Sequence, residues 1–232
     1  GTSGSGNISM AMDANAMKLG LKTLDSNASM QVPDLPFPIE YAMGEVGLDF
    51  LMPLAQTDAQ QDFKLALTLG DFSMSDMIWG LFDPAGQLPH DPATVSFDLS
   101  GKVKLLANIF DPEAMDSDEV PGEIHQATID DLKIKAVGAE LTGAGDFTFD
   151  NSDLASFDGM PRPEGELNLA LTGGNGLLDK LVAMGFVPES DAMGARMMIG
   201  MFSVPGDGDD SLKSKIEVNA EGHVLANGQR LK

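Results

Sequence analysis

Residues 140–150 read Glu140-Leu141-Thr142-Gly143-Ala144-Gly145-Asp146-Phe147-Thr148-Phe149-Asp150. Leu141, Gly143, Gly145, Phe147 and Phe149 occupy one side of a period-two pattern, and Glu140, Thr142, Ala144, Asp146, Thr148 and Asp150 occupy the other. Side chains of an extended chain point alternately to opposite faces, so this is a strand with one apolar and one polar face. One wet face favours an antiparallel sheet, since parallel sheets are covered on both sides. The two glycines leave a gap in the apolar face. Either the strand bends or bulges there, or a helix, a neighbouring side chain or a ligand fills the gap.

The same alternation recurs in both directions along the chain. Ile8, Met10 and Met12 alternate with Ser9, Ala11 and Asp13; Met17, Leu19 and Leu21 alternate with Lys18, Gly20 and Lys22. Phe63, Leu65, Leu67 and Leu69 form another such set, as do Val95, Phe97 and Leu99. Leu132, Ile134 and Ala136, then Leu167, Leu169 and Leu171, and finally Leu212, Ile216 and Val218 continue it. Asn219-Ala220-Glu221-Gly222 and Asn227-Gly228 supply hairpin turns near the end of the chain.

Helical patterns are few. Residues 75–82 form a short helix capped by Ser73 or Ser75 and ended by Asp83-Pro84. Asn175 caps a second helix over 176–184, with Gly185 as its stop. A third spans about 190–202, and its Met193, Met197 and Met201 stripe is expected to form the seam of a helical hairpin. The fold is therefore expected to be mainly β (α+β). It is a long curved antiparallel sheet with two or three short helices packed on the apolar face. Residues 1–232 are read as one β-rich domain with a division near 111–121, where Asp111, Glu113, Asp116, Asp118 and Glu119 form an acidic loop. The opening Gly1-Thr2-Ser3-Gly4-Ser5-Gly6 reads as a linker or a cut end.

Composition narrows the function. Against 14 Lys and Arg stand 36 Asp and Glu, a formal net charge of -22. That charge repels phosphate backbones and anionic headgroups, so no nucleic acid partner is expected. With no cysteine, disulfides, thiolate metal sites and a Cys nucleophile are excluded. Fifteen methionines beside one Trp and one Tyr describe a soft, adaptable apolar interior. No apolar run approaches the roughly 18 residues needed to span a bilayer as a helix.

No catalytic motif is present: there is no HExxH, no GxSxG, no P-loop and no GxGxxG after a strand. His90, His125 and His223 lack metal spacing and read as surface or loop residues. Asp130 and Asp131 are adjacent on a strand and are expected to point to opposite faces. Asp207, Asp209 and Asp210 lie in a Gly-rich loop that lacks the bidentate Glu of a calcium loop. No catalytic residue, metal site or cofactor is expected.

Several segments carry a family resemblance. They are Asp34-Leu35-Pro36-Phe37-Pro38, Met52-Pro53, Ile78-Trp79-Gly80-Leu81-Phe82-Asp83-Pro84-Ala85-Gly86, Leu88-Pro89 and Asp91-Pro92-Ala93. Gly173-Gly174-Asn175-Gly176-Leu177-Leu178-Asp179, residues 192–198 and Ala226-Asn227-Gly228-Gln229 join them. Together they resemble the bacterial family called domain of unknown function 2125, from about residue 30 to the end. The resemblance implies an envelope protein facing the periplasm, tethered to the inner membrane by an N-terminal segment absent from this chain. It implies no activity. The run of long strands is also similar in architecture to the β-groove proteins of the AsmA group, and architecture alone does not establish function.

Three readings follow. The first is a non-catalytic structural or assembly module of the envelope, partnered by a membrane protein. The second is a lipid or apolar-ligand binding β-groove, with Trp79, Phe82, Phe147, Phe149, Met197 and Met201 as candidate liners. The third is a carboxylate-dependent hydrolase, which would need paired acids in one pocket. Oligomeric state stays open.

Overall fold

The computed structural model describes residues 1–33, 35–108 and 121–232. The acidic run from Asp111 to Glu119, and with it the expected division of the chain, lies outside the described residues. The elements are β1 (Ser5–Met12), β2 (Ala16–Met30), β3 (Ile39–Pro53), β4 (Gln61–Met74), α1 (Asp76–Phe82), β5 (Ala93–Leu105), β6 (Gly122–Ala136) and β7 (Ala139–Asp150). They continue as β8 (Arg162–Thr172), α2 (Gly174–Ala183), α3 (Glu189–Phe202), β9 (Val204–Pro205), β10 (Ser211–Val218), β11 (Val224–Ala226) and β12 (Gln229–Arg230).

The strands form one antiparallel meander, β1-β2-β3-β4-β5-β6-β7-β8-β10-β11-β12, with β9 paired to β10. Each neighbour in sequence is a neighbour in space because the chain turns back at the end of each strand. Two of the turns are two-residue hairpins with positive φ at both positions: Val137 and Gly138 (47° and 86°), and Asn227 and Gly228 (49° and 80°). The second pair uses residues that tolerate this conformation. In the first, the β-branched Val137 is held there by the pairing on either side.

The opening residues pair with β2. Thr2 bridges Asn27, and Ser5 and Gly6 pair with Leu24 and Thr23. The alternation that looked local in sequence becomes continuous across the sheet. Ile8, Leu21, Leu48, Leu67, Phe97, Leu132, Gly143 and Leu169 stand opposite one another in successive strands. The next row is Met10, Leu19, Phe50, Leu65, Leu99, Ile129, Gly145, Leu167 and Ile216. Cross-strand pairs share a face, so these rows make one apolar face.

Neighbouring side chains fill the gap left by the two glycines of β7. A Cβ at Gly143 would stand 2.7 Å from Leu169 Cδ2 and 3.2 Å from Leu132 Cδ2. Gly145 is closed off by the β8 backbone and Leu167. Irregular pairing does occur on the other side, between Ile129 and Leu132 of β6. That bulge corrects the expectation for Asp130 and Asp131. The Ser96 hydroxyl donates to Asp131 and the Ser100 hydroxyl to Asp130, and both serines stand on the polar face of β5. The extra residue of a bulge breaks strict alternation, so both carboxylates share that face.

The three helices of the described residues sit at one end of the sheet. α1 joins the end of β4 to the start of β5, and α2 and α3 join β8 to β10. The register aligns these ends: Phe72 opposes Ala93, Thr94 opposes Lys135, Glu140 opposes Thr172, and Thr172 opposes Ser211. α2 begins at Gly174, after a left-handed Gly173, so Asn175 lies inside the helix and is not its cap. The missing cap arrives from 35 residues away, where Asp210 accepts the backbone N–H of Asn175 (3.0 Å) and of Gly176 (2.8 Å). Burial pushes the Asp210 carboxyl up, and these amides outweigh it, leaving it below the ordinary value. Asp210→Ala is expected to cost about 1 kcal/mol, read as a lowered urea midpoint with an unchanged m-value.

Candidate functional site

The described residues leave the apolar face uncovered along much of its length. Among the described residues no large side chain is fully enclosed; the buried apolar ones are Leu54, Ile78, Leu105, Ala192, Val218 and Ala226. In the middle of the sheet Leu65, Leu67, Val95 and Ile134 remain 38–43% exposed. Towards the β1 edge Ile8 and Met10 reach 77% and 76%. A one-layer sheet leaves its apolar side without a partner, whereas domains normally bury such a face against a second layer.

At the helical end a roof is present. α3 and the sheet border an open cavity of about 310 Å³ between Leu141, Leu169, Leu171 and Leu212 below and Met198, Ile199 and Phe202 above. Ala192 of α3 has no exposed surface. Arg196 ties α3 to α2, donating to Asp179 Oδ1 (2.6 Å) and Asn175 Oδ1 (3.2 Å). The expected Met seam is therefore corrected. Met193, Met197 and Met201 are 61%, 67% and 65% exposed, on the side of α3 away from the sheet, and Arg196 links the two helices instead. Three positions spaced by four share a helix side, and so do Ile199 and Phe202, about half a turn away. Periodicity alone does not say which of two such sides meets the core.

The candidate liners are not brought together. Trp79 and Phe82 lie on α1; Phe82 is 56% exposed. Met197 and Met201 lie on the outer side of α3. Phe147 and Phe149 are on the apolar face near the opposite end of β7, where they oppose Gly165 and Pro163. At roughly 3.3 Å per residue they lie about 13 Å and 20 Å along the strands from Leu169, the cavity residue that opposes Gly143. Phe147 and Phe149 therefore share the open face with the cavity but not the cavity itself. The residues that line the face and its roofed end, among them Leu67, Leu99, Leu141, Leu169 and Leu171, were visible in the sequence as strand positions. Only the cross-strand register assembles them.

Around α1 the sequence segment Trp79 to His90 closes on itself. The Asp83 side chain has no exposed surface. It accepts the backbone N–H of Gln87 (2.9 Å) and of Leu88 (2.6 Å), and His90 Nε2 stands 3.6 Å away. Trp79 stacks on His90, with centroids 4.2 Å apart and planes at 8°. The Gln87 and Leu88 amides, with His90 adding to them, hold the Asp83 carboxyl below its ordinary value. His90 thus belongs to a loop clasp. Asp98 lies beside the Asp130–Asp131 bulge on the polar face, paired to Lys64 at 3.0 Å. Among the described residues no group of three His or acidic side chains is placed to hold a metal. In the Gly-rich loop Asp207 pairs with Lys213 and Asp210 serves α2.

No helix among the described residues is long and apolar enough to cross a membrane. No curated protein and no solved structure matches the chain. A family model described as an uncharacterized protein conserved in bacteria (DUF2125) matches residues 3–227, and the chain belongs to that family.

Proposed function

We propose that this chain is a non-catalytic acyl-chain or other apolar-ligand binding module of the bacterial envelope, facing the periplasm, with the open apolar sheet face as its groove. The observation that supports this reading most is the continuity of the face. Rows of Leu, Phe and Ile cross the strands, stay partly exposed, and end in the cavity under α3. Such a site needs shape and apolar lining more than polar chemistry. The cavity lies at the lower end of ligand-pocket sizes and opens onto the uncovered face, which suits one end of a long chain.

Titration with the fluorescent fatty acid cis-parinaric acid tests the reading. Saturable binding is expected, weakened about tenfold by Leu67→Asp on the open face and by Leu171→Trp in the cavity. Absence of binding, or binding untouched by both variants, would sink it.

A second reading, assembly through strand addition, is favoured by β1. This eight-residue edge strand, Ser-Gly-Asn-Ile-Ser-Met-Ala-Met, carries no charge, no proline and no bulge, the devices that protect sheet edges. A stable protein companion whose binding is abolished by Ser9→Pro would support that reading.

A further inference from the structure

The apolar side chains of the three helices do not all serve the fold. On α1, Met77, Leu81 and Phe82 are 54–56% exposed; on α3, Met193, Met197 and Met201 exceed 60%, and Phe186 of the α2–α3 turn is 56% exposed. All seven belong to one end of the sheet, the end where the cavity lies. Six of them lie in segments free of charge, residues 77–82, 181–188 and 197–206, which contain no Asp, Glu, Lys or Arg, and Met193 stands between Asp191 and Arg196. In a chain of net charge -22 this is a local vacancy in an otherwise acidic surface.

From this juxtaposition we infer that the helical end is a docking surface for a lipid bilayer with zwitterionic headgroups. The inference rests on the proposed groove, because it places the mouth of that groove against a source of acyl chains. Met, Leu and Phe side chains on short helices enter the headgroup boundary at little cost, since no charge has to be desolvated with them. Charge then selects the lipid. Asp76, Asp179, Glu189 and Asp191 flank the apolar segments and outnumber the two flanking cations, Lys180 and Arg196, the second already engaged by Asp179. An anionic membrane is repelled by these acids and by the body of the protein; a zwitterionic one is not. The same net charge on both partners works against a second copy as the occupant.

The test is flotation of the full chain with phosphatidylcholine vesicles, with cis-parinaric acid binding measured on the same samples. The wild type is expected to float. Replacing a third of the lipid by phosphatidylglycerol, or introducing M193E, M197E and M201E together, lowers the bound fraction about tenfold. These side chains point away from the sheet, so the triple variant is expected to retain cis-parinaric acid binding, which also shows that it is folded. A wild type that binds the fatty acid but does not float overturns the docking surface and leaves the groove standing. Flotation without fatty-acid binding supports the docking surface and removes the groove. Flotation unchanged in the triple variant overturns the inference, as does a wild-type dimer in sedimentation that the variant dissociates without any flotation.

Discussion

Gly145→Ala is expected to destabilise the protein by about 3 kcal/mol, while Gly143→Ala, two residues away on the same face, costs about 1 kcal/mol. The difference lies in what each new methyl group meets. At Gly145 a Cβ would stand 2.5 Å from the Glu166 carbonyl oxygen and 2.9 Å from Leu167 Cα, so the β8 backbone itself would have to move. At Gly143 the nearest atom is the end of Leu169, which can change rotamer, and the nearest backbone atom is 3.4 Å away. Backbone displaced in the middle of a sheet loosens ladder hydrogen bonds on both sides, whereas a leucine end relaxes locally. Urea unfolding of the two variants reads the contrast. Equal costs, or a larger cost at Gly143, would show that the β7–β8 register differs from that described.

Asp83→Ala is expected to lower Tm by about 10 °C and to shift the emission of Trp79, the single tryptophan of the chain. The substitution leaves the amides of Gln87 and Leu88 without their acceptor and releases His90 from its position against the indole. Asp83→Asn separates charge from shape, since it keeps the volume and one acceptor. The pH dependence has a definite sign. The folded carboxyl titrates below its ordinary value of 3.8, so its contribution is complete above that value and is lost as pH falls through the lower folded value. The stability gap between wild type and Asp83→Asn is therefore expected to be widest above pH 3.8 and to close below it. A gap that stays constant into acid would mean that the ionised carboxylate is not what binds the loop. The clasp also gives a physical reason for the Trp79-Gly80-Leu81-Phe82-Asp83-Pro84 segment that carried the family resemblance: its Trp and Asp engage His90 from two sides.

The strands were legible because their signal is local. Alternation in 140–150, in 63–69 and in 167–171 lies within single segments, and each segment is a strand in the structure. Asp83-Pro84 ended α1 and Asn227-Gly228 made its turn for the same reason. Where a second segment had to take part, the local signal misled. Asn175 has the chemistry of a cap, but Asp210 approaches from across the β8–β10 connection and caps α2 instead. Asp130 and Asp131 would alternate in an isolated strand, and the pairing with β5 and β7 introduces the bulge that turns them to one face. Met193, Met197 and Met201 have the spacing of a seam, and the opposite side of α3 is the one that meets the sheet.

By itself the sequence determined the alternation of polar and apolar faces, the Asn227-Gly228 turn and the absence of a recognisable catalytic motif. These depend on side-chain spacing and on the φ angles that individual residues tolerate. Only the tertiary structure decided that the apolar faces align into one surface, that this surface is left open, and that the helices gather at one end with their methionines outward. Those properties come from the pairing of strands far apart in the chain, and an apolar residue has the same signature in sequence whether its face is covered or left to water.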